Sequence, residues 1–248
     1  EQHLPRDGSV HIEPLGMKLI GLSIAGPKAR ELLQRLTDDD VSNAAFKFMD
    51  YREMEVATVR AKVNRVTYTG DLGYEIWVAP EYQRRLYQSI MDAGADLGLK
   101  NFGMRALLCL RLEKHFGTWF REFRPIYGPF EAGLDRFVKL DKSDFIGKAA
   151  ALKEKQDGPK RTRICMQVDA TDTDVMGDEP IWVDGKVVGW VTSGGYGHGV
   201  DQSLAQGYVP TELVKPDMQM EIEILGERRV ARLQTEPPFD PQALRMRM

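Results

Sequence analysis

The stretch LIGLSIAGPKARELLQRL, Leu19–Leu36, puts a strand directly before a helix, and its reading decides the fold class. Ile20, Leu22 and Ile24 alternate with Leu19, Gly21 and Ser23, the period-two pattern of a strand with one face committed to a core. Gly26 breaks that pattern, and Pro27 suits the first turn of a helix, where a missing N–H costs nothing. Ala29, Leu32, Leu33 and Leu36 then recur at helical spacing as one apolar stripe. Downstream, Asp38–Asp40 open a solvated loop. Met54, Val56 and Thr58 alternate with Glu53 and Glu55, and a second run covers Val63–Tyr68, which predicts a hairpin. Beyond the turn TGDLG a third alternation, Tyr74, Ile76 and Val78, leads into a helix marked by Tyr82, Leu86 and Ile90 that runs to about Ala95. The order β-α-β-β-β-α predicts an α+β fold, a ferredoxin-like antiparallel sheet with helices on one face.

MRALLCLRL, Met104–Leu112, is apolar nearly all round and predicts a buried helix. Residues 115–133, HFGTWFREFRPIYGPFEAG, form an irregular connection of a length that compact domains keep for functional or mobile segments. Ser143 is placed to cap a helix through Ala149 and Leu152 to about Lys155. QDGPKR then marks a boundary, dividing a 1–155 α+β region from a strand-rich 156–248. RICMQV, PIWV, KVVGWV, LAQGYV, MQMEIEIL and RVARLQ follow as short strands, with Asp184–Gly185 a strong two-residue hairpin turn. They predict a small C-terminal β-barrel.

Composition narrows the class. The 248 residues carry 34 Lys plus Arg against 37 Asp plus Glu, a net charge of −3, which gives no electrostatic reason to expect a nucleic-acid partner. The longest apolar runs, Ala106–Leu110 and Val187–Val191, fall far short of the roughly 18–20 residues of a membrane span. The opening EQHLPRDGSV lacks the basic-then-apolar order of a secretory signal. Cys109 and Cys165 sit in apolar segments without metal or redox spacing, as buried thiols of a reducing compartment do. These features predict a soluble intracellular protein, with no membrane partner. The chain starts with Glu rather than Met, and its first seventeen residues read as loop. A processed start or a piece of a longer protein would each explain this.

Few motifs carry chemistry. His3, His11, His115 and His198 have no zinc-binding spacing, so no metal is expected. GGYGHG, Gly194–Gly199, precedes a strand rather than opening a helix, which removes the physical basis of a dinucleotide cradle and leaves a glycine-rich loop between barrel strands. YTGDLGYE is more informative. Gly70 and Gly73 permit a tight reversal that would bring Tyr68 and Glu75 to adjacent strand ends, with Glu75 on the face opposite Tyr74 and Ile76. A carboxylate there can accept two parallel hydrogen bonds from the N–H/NH2 edge of a heterocycle, and Tyr68 can add a phenol contact. A strand-edge Glu beside a packed Tyr accounts for the same spacing. Arg105 and Arg111 in the apolar helix need a partner, either an acid such as Glu113 or Glu131 or a ligand. The six aromatic residues from Phe116 to Phe130 can fill a core or wall a pocket for a flat ligand.

YTGDLGYE, GMRALLCLRLEK, PFEAGLDRFVKLDKSDFIGKAAL and VGWVTSGGYGHGVDQSLAQGYVP occur in that order. Together they resemble the tetrahydrofolate-binding aminomethyltransferase family, which includes the glycine cleavage T protein and the folate-binding parts of dimethylglycine and sarcosine dehydrogenases. The similarity runs from about Pro14 onward. The tail TEPPFDPQALRMRM and GTWFREFRPIYGPFEAGL resemble the dehydrogenase-type members. The resemblance implies tetrahydrofolate as cofactor, with Tyr68 and Glu75 on the folate, Glu75 at the pterin edge, Arg105 close to the pterin and Glu131 bordering the folate cavity. It implies transfer of a one-carbon unit from an N-methyl amino acid-derived iminium to tetrahydrofolate. The family's general acid/base Asp lies in a portion preceding this chain, so no catalytic residue is assigned. On this reading the chain is the C-terminal part of a longer enzyme with FAD in another domain, bacterial and cytoplasmic or eukaryotic and in the mitochondrial matrix. The alternative the resemblance allows is a folate-binding module without catalysis, like the folate-binding tRNA-modification proteins of the same fold.

Overall fold

The computed structural model describes residues 3–248. Among the described residues no strand or helix precedes the 3-10 turn at Gly16–Lys18, in line with the expected loop, whose first two residues lie outside the described residues. The chain divides into two compact units, and the boundaries do not follow one cut in the sequence.

The first unit comprises Glu1–Thr67, Asp71–Asn101 and Leu244–Met248. Its elements are β1 (Ile20–Ala25), α1 (Ala29–Gln34), β2 (Tyr51–Val56), β3 (Val59–Asn64), β4 (Gly73–Val78) and α2 (Gln83–Ala93). The strands form one antiparallel sheet in the order β1-β4-β3-β2, with Leu22 opposite Ile76 and Val63 opposite the same residue on its other side. The expected stripe is the core: Leu32 and Leu33 of α1 and Leu86 and Ile90 of α2 pack with Val63, Tyr74, Ile76 and Val78. The antiparallel sheet with helices is as the periodicity predicts.

One strand is displaced from its predicted span, since β3 covers Val59–Asn64 rather than Val63–Tyr68. The run Val63–Tyr68 leaves the sheet after Asn64, so Tyr68 is not at a strand end. The residue after the last ladder position is Arg65, which is fully buried. Its guanidinium donates to Asn43 Oδ1 (2.6 Å), to the Phe46 carbonyl and to the Met248 carbonyl (2.6 Å). A buried charge needs such acceptors, and the Arg65 backbone stays paired as well, its N–H donating to the Asp50 carbonyl and its carbonyl accepting from the Met49 N–H, both at 2.9 Å.

The second unit comprises Tyr68–Gly70 and Phe102–Ala243. It contains α3 (Met104–Glu113), α4 (Lys148–Asp157), β5 (Arg161–Val168), β6 (Pro180–Val183), β7 (Lys186–Gly197), β8 (Gln202–Pro210), β9 (Met220–Ile224) and β10 (Glu227–Gln234). The six strands close into a barrel in the order β10-β5-β8-β7-β6-β9 around Met166, Ile181, Val191, Val209 and Ile222. Asp184 and Gly185 both have positive φ (49° and 73°), the backbone of the predicted two-residue hairpin turn. The first four residues of GGYGHG belong to β7, and only the rest forms the turn into β8. The last helix, α5 (Leu244–Arg247), belongs to the first unit.

Two helices differ from expectation. The α4 helix starts at Lys148 after Gly147 in a left-handed conformation, so Ser143 does not cap it. The α3 helix is buried only from Arg111 to Glu113, while Met104, Arg105, Ala106 and Leu108 are exposed. It packs on β7 through its C-terminal end, so hydrophobicity all round did not translate into burial all round.

Candidate functional site

Where α3 ends, the chain makes a turn through His115, which has a left-handed φ of 57°. The next carbonyls are each held by a side chain. Arg163 Nη1 donates to the His115 carbonyl (3.1 Å), Arg111 Nη1 and Gln206 Nε2 donate to that of Phe116 (2.9 and 3.2 Å), and the Tyr68 hydroxyl donates to that of Gly117 (2.7 Å). The Tyr68 ring stacks on Phe116 at 6.1 Å between centroids. Burial raises the Tyr68 phenol above its ordinary pKa, so at neutral pH the hydroxyl keeps its proton and the donor role. Gly70, just after it, has a φ of +84°, and a Cβ there would meet Lys114 Cγ at 2.1 Å, so the YTG turn admits glycine only.

Behind this turn lies a residue that the sequence did not single out. Glu122 is fully buried. Its Oε2 accepts from the Thr118 N–H (2.7 Å), from Thr118 Oγ1 (3.2 Å) and from Arg111 Nη1 (3.3 Å). Its Oε1 accepts from the hydroxyls of Thr192 and Ser193 in β7, both at 2.6 Å. Burial opposes ionisation of this carboxyl, but the Arg111 charge and the hydroxyls of Ser193 and Thr192 outweigh it, leaving the group below its ordinary pKa. The acid that pairs with Arg111 is therefore Glu122, neither Glu113 nor Glu131. Glu113 instead accepts from the Gly199 N–H (2.8 Å) and ties the β7–β8 turn to α3.

The aromatic connection is split between core and surface. Tyr127 stacks face to face on Tyr208 (3.7 Å between centroids), and the Tyr208 hydroxyl donates to the Glu122 carbonyl (2.6 Å). Trp119 and Phe120, by contrast, are 78% and 88% exposed. Glu131 is buried, accepts from the Gly128 N–H (3.1 Å) and pairs with Arg161 Nε and Nη2 (3.2 Å each). These bonds outweigh the cost of burial and lower its pKa, and they use its lone pairs to clamp the PFEAG turn onto β5.

Arg105 is not the buried cation expected of an apolar helix. Its side chain is 72% exposed, and one nitrogen reaches Asp174 Oδ2 at 3.4 Å. In the first unit, Glu75 lies on β4 opposite Ser23 and Asn64, on the face away from Tyr74 and Ile76, as predicted. It is half-buried, and among the described residues no hydrogen bond or ion pair engages its carboxylate. That unit also has an open groove of about 460 Å³ over α1, lined by Arg30, Glu31, Gln34, Arg35 and Ser42, none of them a predicted site residue. Among the described residues there is no group of three or more His, Cys, Asp or Glu that could hold a metal, and no helix long and apolar enough to cross a membrane.

Comparison with known proteins decides the family. The model of the GCVT N-terminal domain matches residues 1–142, and that of the glycine cleavage T-protein C-terminal barrel domain matches residues 161–240. The chain belongs to the glycine cleavage T-protein family. Human mitochondrial dimethylglycine dehydrogenase is 42% identical over 92% of this chain, which spans 26% of that enzyme. The aminomethyltransferase of Caldanaerobacter subterraneus subsp. tengcongensis is 35% identical over 87% of this chain and 57% of its own. The crystal structure of glycine cleavage system aminomethyltransferase T from Bartonella henselae superimposes with a TM-score of 0.79 at 26% identity, covering 90% of this chain and 60% of that one. This member of the T-protein family thus spans only part of the relatives it matches, and its relatives include mitochondrial dehydrogenases.

Proposed function

We propose that this chain is the tetrahydrofolate-binding portion of a dimethylglycine- or sarcosine-dehydrogenase-like enzyme, with Tyr68, Glu75, Arg105 and Glu131 as its folate-site residues. The observation that carries the reading is the pairing of family membership with spare hydrogen-bonding capacity at the right groups. Glu75 has an unengaged carboxylate, suited to accept two parallel hydrogen bonds from the N–H/NH2 edge of a pterin. Tyr68 spends its proton on Gly117, so its oxygen is left to accept from a ligand N–H. Arg105 has one long contact to Asp174 and keeps most of its five donors free. Glu131 has no such spare capacity, and its part is to hold the PFEAG turn in shape.

Tetrahydrofolate, when bound, supplies through its N5 the nucleophile for a one-carbon unit carried by an N-methyl amino acid-derived iminium. The chain's own residues bind and orient, and correct placement of two reactants accounts for much of the acceleration such a site can provide. The test is a titration of the protein with tetrahydrofolate beside Glu75→Ala. Loss of at least about tenfold in affinity is expected from removing a charge-assisted pair of hydrogen bonds. Unchanged affinity in the variant overturns the assignment. Binding without any transfer, assayed with the flavin domain of a relative present, would make the chain a folate-binding module instead.

A further inference from the structure

We infer that Glu122 is a positioning residue for Tyr68: it anchors the Gly117–Thr118 turn to the barrel, and that turn holds the phenol as a hydrogen-bond acceptor facing the ligand. The inference rests on the folate reading of Tyr68. Apolar packing covers one side of the turn, where a Cβ at Gly117 would lie 2.5 Å from Phe123 Cζ and Phe116 stacks on Tyr68, while Trp119 and Phe120 immediately after it point into solvent. The tie to the barrel is polar, and Glu122 supplies it from both sides. One carboxylate oxygen takes the Thr118 N–H and the other takes two hydroxyls of β7. Glu122 also abuts the turn directly, since a Cβ at Gly117 would lie 2.9 Å from the Glu122 Cβ. Gly117 is therefore fixed in place, and its carbonyl accepts the Tyr68 proton. Arg111 closes the circuit by donating both to Glu122 and to the Phe116 carbonyl, beneath the ring on which Tyr68 stacks.

The chemical consequence concerns hydrogen-bond polarity. A phenol whose proton is committed to a backbone carbonyl presents only lone pairs outward, so it selects an N–H or O–H donor on the ligand. Without the anchored carbonyl the hydroxyl would rotate, and that selection would be lost.

A double-mutant cycle on tetrahydrofolate affinity tests this, with thermal stability recorded for every variant. Tyr68→Phe and Glu122→Ala are each expected to weaken binding by about tenfold, the size of one lost ligand hydrogen bond. The double variant should be no weaker than either single one, and Glu122→Gln, which still offers Thr118 an acceptor, should recover most of the affinity. Should Glu122→Ala fail to fold, Thr192→Val/Ser193→Ala takes its place in the cycle, because it keeps the carboxylate and removes its barrel hydroxyls. Additive losses, or full affinity in the Glu122 arm beside a weakened Tyr68→Phe, overturn the inference and leave the folate reading intact. Full affinity in Tyr68→Phe removes Tyr68 from the folate reading and this inference with it, while Glu75→Ala still decides that reading at its other residue.

Discussion

His115 shows how one side chain can make stability depend on pH. Burial, against a weaker opposing hydrogen bond to the Gln234 amide oxygen, pushes its imidazole down from 6.5 to about 4, with Arg163 and Lys114 adding repulsion. Between those values the unfolded chain binds a proton that the folded chain refuses, so stability falls as pH drops from about 6.5 and stops falling below about 4. His115→Asn keeps a residue that tolerates the left-handed φ of 57° and removes the titration. The variant is expected to lose about 1–3 kcal/mol less than the parent between pH 7 and pH 4. Urea midpoints at the two pH values measure this, and identical losses would remove His115 as the cause. The same scale holds the site's main surprise. Glu122 carries no motif; it is a single acid in an aromatic stretch, and its role comes from Thr192 and Ser193, seventy residues away in the chain.

At the scale of the element, α3 is the instructive case. Its composition promised burial on all sides, yet Leu112 is 2% exposed and Leu108 is 39% exposed. Leu112→Ala is therefore expected to cost about 2–4 kcal/mol, a core truncation that leaves a cavity, and Leu108→Ala less than about 1 kcal/mol. Denaturant unfolding of both variants checks the difference, and equal losses would mean that the exposed half is packed in solution. Strands and turns were legible because their signals are local: period-two alternation for β1 and β4, and Asp184–Gly185 for the β6–β7 hairpin. The span of β3 was not, because Val63–Tyr68 carries no clean alternation, with Asn64 and Arg65 consecutive polar residues, and Arg65 is buried only through acceptors distant in the chain.

For the whole molecule, the division into units is the feature that no linear reading anticipates. The YTG segment Tyr68–Gly70 belongs with the barrel, and the final helix belongs with the sheet. Met246 is buried in the first unit, and the Met248 carbonyl receives the buried Arg65 guanidinium at 2.6 Å. Deleting residues 244–248 should therefore destabilise the sheet unit by about 1–3 kcal/mol, the cost of leaving a buried donor without its acceptor. Amide exchange of Val63 and Ile76 is expected to accelerate, while that of Met166 and Val191 in the barrel stays unchanged. Equal acceleration in both cores, or in neither, would contradict the assignment of the C-terminus to the first unit.

The sequence by itself determined the fold class, the barrel and the family, because apolar periodicity, turn chemistry and an ordered set of short motifs are all written in neighbouring residues. It also placed Glu75 on the correct face of its strand, and Tyr68, Glu75, Arg105 and Glu131 stand as proposed site residues. Only the tertiary structure decided which charges are buried and what they meet. Arg105 turned out exposed and Arg111 buried, though they share one helix. Glu131 spends its carboxylate on Arg161, and Glu122 gathers five donors from α3, its own loop and β7. The cost of burying a charge depends on its full set of partners, and long-range packing, not local sequence, assembles that set.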